Sequence, residues 1–239
     1  MQLNENKCEL LGIYLGDGCL SKNKRYSEIA ISGDIIEERD YYENYVIPLF
    51  NKEFCSESYK VNGEAYPKVG VYGFWCFRRE IAEAFANAFD LKFGPKNNVE
   101  IPAVVLNNDV YLRRVIRGLF DTDGCISFGK NYTMKNSLHK VPKIELSLIS
   151  EKLIKQVYDG LLTLGFSPFL SGPIKRRPNE KPLFKIKIKH KADIERWLKD
   201  IGFRSSKHLT KIEIWRKFGY CPPNTTFAAR QQILSSGKI

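Results

Sequence analysis

The sequence predicts an α+β fold of two pseudo-symmetric αββαββα repeats, each an antiparallel sheet with helices on one face. Three observations lead there. The hexapeptide GDGCLS at 16–21 returns as TDGCIS at 122–127, which puts Asp123 106 residues after Asp17. Farther on, IAEAFANAFDLKFGPKN (81–97) is echoed by IERWLKDIGFRSSKH (194–208), with Asp90 and Phe93 matched by Asp200 and Phe203 at an offset of 110. Both halves also run through the same order of helical and alternating apolar periods. An offset that drifts so little marks a duplicated unit, too long for a solenoid repeat. Two such units pack about a pseudo-two-fold axis, as a homodimer would.

The elements follow in order. Each unit opens on a helix, over 9–15 or 110–120. Two strands come next, 18–22 with 28–32, or 125–128 with 143–148. A second helix spans 35–54 or 151–164, with apolar residues at helical spacing. A second hairpin spans 58–77 or 169–189; Asn62-Gly63 is the turn signal in the first unit, and PNEKP (178–182) turns the second. A third helix closes each unit, over 80–89 or 193–201. Between the units, Gly94-Pro95, Asn97-Asn98 and Ile101-Pro102 break helix and strand. The repeats are therefore expected at 1–92 and 109–204, with a linker over 93–108. The remainder, 205–239, is expected to hold one helix in LTKIEIWRKFG, a break at YCPPNTT and a polar tail.

The charge balance points to the partner. Against 27 Asp and Glu stand 38 Lys and Arg, a net charge of +11, and such a surplus favours a polyanion. No run of about 18 apolar residues is present to span a bilayer, and the polar start MQLNENKCEL lacks the apolar core of a signal peptide. A soluble intracellular protein is expected. The six cysteines form no CxxC pair and the three histidines do not complete a zinc set, so the cysteines are read as free thiols in a reducing compartment. Neither a P-loop nor a GxGxxG is present, so no nucleotide cofactor is expected.

The strands give the partner a surface. In LFKIKIK (183–189), Phe184, Ile186 and Ile188 alternate with Lys185, Lys187 and Lys189. KIELSL (143–148) alternates likewise, setting Lys143, Glu145 and Ser147 opposite its aliphatic residues. One face packs on helices; the other presents positive charge. A two-stranded ribbon fits the major groove, where alternate side chains reach base edges and phosphates. Lys175, Arg176 and Arg177 in the hairpin would then lie near phosphates. The full set read as DNA-contacting is Lys22, Lys24, Arg25, Lys60, Lys68, Tyr72, Lys143, Lys175, Arg177, Lys185 and Lys187.

LLGIYLGDG (10–18) and IRGLFDTDG (116–124) resemble the two signature motifs of single-chain LAGLIDADG homing endonucleases. The resemblance runs over about residues 8 to 220 and includes the order of elements. It implies two sheets forming a saddle over double-stranded DNA, in a monomer that needs no protein partner. It also implies an intron-encoded enzyme that makes a staggered double-strand break in a long target by metal-dependent phosphodiester hydrolysis.

The motif has a physical logic. Gly12 and Gly118 fall in mid-helix, where glycine costs about 1 kcal/mol relative to alanine. With Gly16 and Thr122 one turn on, they let two helix backbones meet. Asp17 and Asp123 then end the helices side by side, and Gly18 and Gly124 suit the turn into a strand. Two adjacent carboxylates repel; a hard divalent cation with open positions resolves that, and a pair of such ions can activate water and stabilise a leaving oxygen. The resemblance implies Asp17 and Asp123 as metal ligands, with the main-chain carbonyls of Gly16 and Thr122 joining them. The metal would be Mg²⁺, with Mn²⁺ able to substitute and Ca²⁺ binding without cleavage. Lys189 falls about where the second-half catalytic lysine would be, and residues 76–79 offer no first-half match. Asp121 is expected to cap locally.

Two alternatives use the same fold: an RNA-binding intron maturase and a transcription regulator. Retention of both motif aspartates favours the nuclease. An intein is not expected, since the sequence starts with Met1 and ends SSGKI rather than His-Asn.

Overall fold

The computed structural model describes residues 2–96, 99–130, 138–175, 177 and 179–239. Helix α1 (Glu5–Asp17) starts where the Asn4 side chain accepts the Lys7 N–H, a standard N-cap. β1 (Gly18–Lys22) and β2 (Ser27–Asp34) form the first hairpin. A turn then leads into α2 (Arg39–Tyr41), a π-helical turn (Tyr42–Val46) and α3 (Ile47–Phe54). β3 (Glu64–Tyr66), β4 (Val71–Cys76) and α4 (Arg79–Ala88) complete the first unit.

A short α5 (Ala103–Leu106) precedes α6 (Asp109–Thr122), which Asn108 caps. Then come β5 (Gly124–Lys130), β6 (His139–Leu148), α7 (Glu151–Thr163), β7 (Phe169–Ile174), β8 (Leu183–Ile188) and α8 (Lys191–Asp200). α9 (Ser206–Phe218) and α10 (Phe227–Ser236) follow.

Two four-stranded antiparallel sheets result, ordered β1-β2-β4-β3 and β5-β6-β8-β7. Their registers correspond: Gly18 pairs with Ile31 in one, Gly124 with Leu146 in the other. Leu20, Ile29, Ile31 and Phe74 are wholly buried beneath the first sheet, and Ile126, Ile144, Leu146, Ile186 and Ile188 beneath the second. Between the sheets, α1 packs along α6. Residues 7–15 of α1 are buried without interruption, as befits a central helix covered all round. Glu9, at 1% exposure, reaches across this contact: Arg117 donates to it from Nε at 2.9 Å and again from Nη2, and the Tyr45 hydroxyl donates at 2.8 Å.

Three expectations need correction. The second helix begins at 39, not 35, because Asp34 Oδ1 first accepts the N–H groups of Ile36 and Glu37, both at 2.8 Å, closing an Asx turn. The first unit's second hairpin turns over 67–70, where Gly70 takes φ +72°, and not at Asn62-Gly63. Gly63 serves instead for close approach: a β-carbon there would meet the Tyr72 hydroxyl at 2.0 Å. The expected polar tail is largely α10. Thr226 caps it, and its Arg230 is fully buried, donating to Thr210 Oγ1 at 2.9 Å and to Glu37 Oε2 at 2.6 Å. A buried arginine gives no apolar period, so the pattern did not announce this helix.

All six cysteines are free. Among the described residues no helix is long and apolar enough to cross a membrane.

Candidate functional site

α1 and α6 end side by side because their facing positions carry almost no side chain. A β-carbon on Gly12 would lie 2.1 Å from the Val115 carbonyl oxygen, and one on Gly118 2.3 Å from that of Glu9. One turn later, a β-carbon on Gly16 would fall 2.1 Å from Thr122 Oγ1 and 3.4 Å from Asp123 Cγ. Each chain then doubles back into its sheet. A β-carbon on Gly18 would stand 2.7 Å from the Tyr14 carbonyl oxygen, and one on Gly124 2.5 Å from that of Phe120. Asp17 and Asp123 are thereby brought to the shared end of the helix pair.

The two carboxylates differ in surroundings. Asp17 is half-buried and accepts the Tyr42 hydroxyl at 2.7 Å. Tyr42 opens the π-helical turn, a local irregularity that recurs at functional sites. Burial, and then the charge of Glu38, push the Asp17 carboxyl up to about 7, and Asp123 adds to the rise. Asp123 is more open to solvent. Its carboxyl is also raised, first by desolvation at the helix junction, with Lys96 and Lys207 pulling the other way.

These two lysines are what the sequence reading missed. Lys96 Nζ donates to the carbonyls of Tyr14 (3.1 Å), Leu15 (3.0 Å) and Gly16 (2.6 Å). Lys207 Nζ donates to the Thr122 carbonyl at 2.9 Å and to Glu38 Oε1. Each motif helix thus has an ammonium on its C-terminal carbonyls, where the helix dipole favours a cation. The signal was present in the sequence, since Lys96 and Lys207 lie 111 residues apart inside the repeated segments ending GPKN and SSKH.

Lys189 is placed elsewhere. It is exposed just beyond β8, with its ammonium 4.1 Å from the centre of the Phe169 ring. Gly124 pairs with Leu146, and Leu146 with Ile186. Lys189, three residues past Ile186, is therefore about 10 Å along the strand direction and two strands across from the row that Asp123 enters. Asp121 is fully buried and accepts the N–H groups of Arg204 and Ser205 at 3.0 Å. It ties α6 to the start of α9, and burial raises its carboxyl to about 7.

Three of the remaining candidates lie on the open face of the second sheet. Lys143, Lys185 and Lys187 surround Glu145 at 3.3, 3.9 and 3.6 Å, so the expected row of positive charge has one carboxylate at its centre. Lys24, Arg25, Lys60, Lys68, Lys175 and Arg177 are exposed in turns and loops; Arg176 lies outside the described residues. Two candidates face the wrong way. Lys22, two residues on from the buried Leu20, shares its face of the strand and pairs with Glu83 of α4 at 2.9 Å. Tyr72, 5% exposed, lies on the helix side beneath the Arg39 guanidinium. The aromatic residue on the open face of that strand is Trp75, packed on Tyr66 with ring centroids 4.5 Å apart.

Comparison with known proteins agrees with the fold. Residues 110–202 match the LAGLIDADG-like domain family. A replication factor C small subunit of Methanocaldococcus jannaschii is 25% identical over 209 residues, which is 87% of this chain but 10% of that protein; the chain spans about a tenth of that relative's length. Among solved structures, I-DmoI in complex with DNA and Mn superposes with a TM-score of 0.57 at 16% identity, covering 83% of this chain and 96% of that one. The meganuclease I-SmaMI bound to uncleaveable DNA gives 0.57 at 11% identity, covering 98% of both chains.

Proposed function

We propose that this chain, whose residues 110–202 match the LAGLIDADG-like domain family and whose fold is that of the LAGLIDADG meganucleases, is a site-specific DNA endonuclease making a staggered double-strand break. One observation carries the reading: Asp17 and Asp123 stand together at the end of a helix pair that joins two open sheet faces, the second of which bears Lys143, Lys185 and Lys187. A monomer supplies both carboxylates. Nothing in the geometry favours an intron RNA over duplex DNA.

The residues fit a divalent cation. Among the described residues no cluster of three or more His, Cys, Asp and Glu side chains could hold one, so the donors here are two carboxylates and the carbonyls of Gly16 and Thr122. This all-oxygen set with open positions suits Mg²⁺ or Mn²⁺. Two ammonium groups, those of Lys96 and Lys207, already sit on those two carbonyls, which marks both positions as cation-seeking. A bound divalent ion would neutralise the carboxylates, polarise the phosphate and lower the pKa of a water.

The chain's own groups do the rest. Asp17 and Asp123 must be ionised to hold the cation, and Tyr42 fixes the orientation of Asp17. Lys96 and Lys207 provide positive charge where the scissile phosphates gain negative charge. Lys143, Lys185 and Lys187 hold the duplex through phosphates and base edges, which sets the register. Incubation of a randomised duplex library with the protein and Mg²⁺, followed by sequencing of cut ends, tests the proposal. Defined ends with a fixed overhang are expected; uncut DNA at every metal tried overturns it.

A further inference from the structure

The two halves of the site are not equivalent, and the difference lies in Glu38. This side chain is 5% exposed and fully engaged: Oε2 accepts the Asp34 N–H at 2.7 Å, and Oε1 takes the Lys207 ammonium from the other half of the molecule. Room for it is made by Gly33, where a β-carbon would fall 2.2 Å from Glu38 Oε2 and 2.8 Å from the Tyr42 ring. Among the described residues the second repeat has no such arrangement. By strand register Ile31 corresponds to Leu146, so Gly33 corresponds to Leu148. There the chain passes from Leu148 through the cap Ser150 straight into α7, without the extra turn that carries Glu38. Accordingly Lys96 donates only to main-chain carbonyls, and among the described residues no carboxylate lies within ion-pair distance of it.

We infer that Glu38 is a positioning residue for Lys207, which makes the cleavage of one DNA strand depend on a cross-repeat ion pair that the other strand does not need. The inference rests on the nuclease reading above. Lys207 has a long, flexible stem that otherwise samples many rotamers. A buried carboxylate on one side and the Thr122 carbonyl on the other hold its ammonium beside Asp123. Lys96 achieves the same with three carbonyls of α1. Removing the Glu38 charge therefore loosens one lysine and leaves its pseudo-symmetric partner in place. A general folding defect would slow both strands together.

The test uses the full chain and a duplex selected by the wild-type protein, each strand labelled separately. In Glu38→Gln, which can still accept the Asp34 N–H, cleavage of one strand should fall about tenfold, the scale of a slightly misplaced catalytic group. Nicked duplex should accumulate, always cut on the same strand. Lys207→Met should slow that strand too, Lys96→Met should slow the other, and Glu38→Gln should add little to Lys207→Met. Gly33→Ala, which displaces the Glu38 carboxylate, should reproduce the bias. A second readout needs neither DNA nor metal: the side-chain ammonium resonance of Lys207 should be protected from exchange in the wild type and lost in Glu38→Gln, while that of Lys96 persists. An unchanged strand ratio with an unchanged Lys207 resonance, in a variant whose parent cuts both strands, overturns the inference alone. Equal slowing of both strands overturns it as well. If the wild type cuts neither strand, the nuclease reading fails and the strand assignment falls with it.

Discussion

Gly12 and Gly118 meet so closely across the central helix pair that neither has room for a β-carbon: the added atom would stand 2.1 Å from the Val115 carbonyl oxygen or 2.3 Å from that of Glu9. Alanine in place of a mid-helix glycine ordinarily stabilises by about 1 kcal/mol. Here it forces two backbones apart, and overpacking of that kind costs about 1–3 kcal/mol or more. Gly12→Ala and Gly118→Ala should each lower the melting temperature. A rise in either would mean that the helices do not touch where the structure has them.

Asp17→Asn and Asp123→Asn should each reduce double-strand cleavage to near background while leaving duplex binding intact in Ca²⁺. Asparagine keeps the shape and removes the charge a divalent cation requires. The proposed duplex contacts lie on the strands, away from the helix ends. Cutting and binding measured on the same selected duplex separate the two effects, and normal cutting by either variant would exclude the proposed site.

The pH dependence of the metal-free protein has a definite sign. The Asp17 carboxyl is raised from 3.8 to about 7, so the folded state keeps a proton there that the unfolded state has lost. Its contribution to stability is full below the unfolded value and is lost as pH rises through about 7. Urea unfolding in chelator should show stability falling over that interval. The slope should be smaller in Asp17→Asn, with the remainder carried by Asp121, whose carboxyl is likewise raised to about 7, and by Asp123, whose carboxyl is also raised.

Lys185→Met and Lys187→Met should weaken duplex binding across all sequences and reduce the slope of log affinity against log salt by about one each if each lysine meets a phosphate. Glu145 lies within 3.9 Å of both ammonium groups. Glu145→Gln should therefore raise non-specific affinity. Titrations over a series of salt concentrations measure all three, and unchanged slopes would remove the sheet face from the duplex interface.

Arg230 anchors α10 to the first unit through Glu37. Arg230→Met should destabilise the protein by about 1–3 kcal/mol, because it strips a charged donor from Glu37 and leaves Thr210 and Thr225 short of a partner. Denaturant unfolding checks this, and an unaltered midpoint would make the terminal helix an ornament of the fold.

What the sequence by itself determined is whatever repeats at short range. The order of elements, the strand alternation of 183–188 and the two aspartates 106 residues apart were legible because helical and strand periods and a duplication are written in neighbouring residues. Even Lys22 and Tyr72 could have been assigned to the helix side by extending that alternation from Leu20 and Phe74. The tertiary structure alone decided which charges meet. Lys96 reaches α1 from the linker, 80 residues along the chain from Gly16, and Lys207 crosses 169 residues to Glu38. Arg230 crosses 193 residues to bury itself on Glu37. Such pairs obey no period: an ammonium or guanidinium finds its partner through the packing of distant segments, and burial then makes the pairing obligatory.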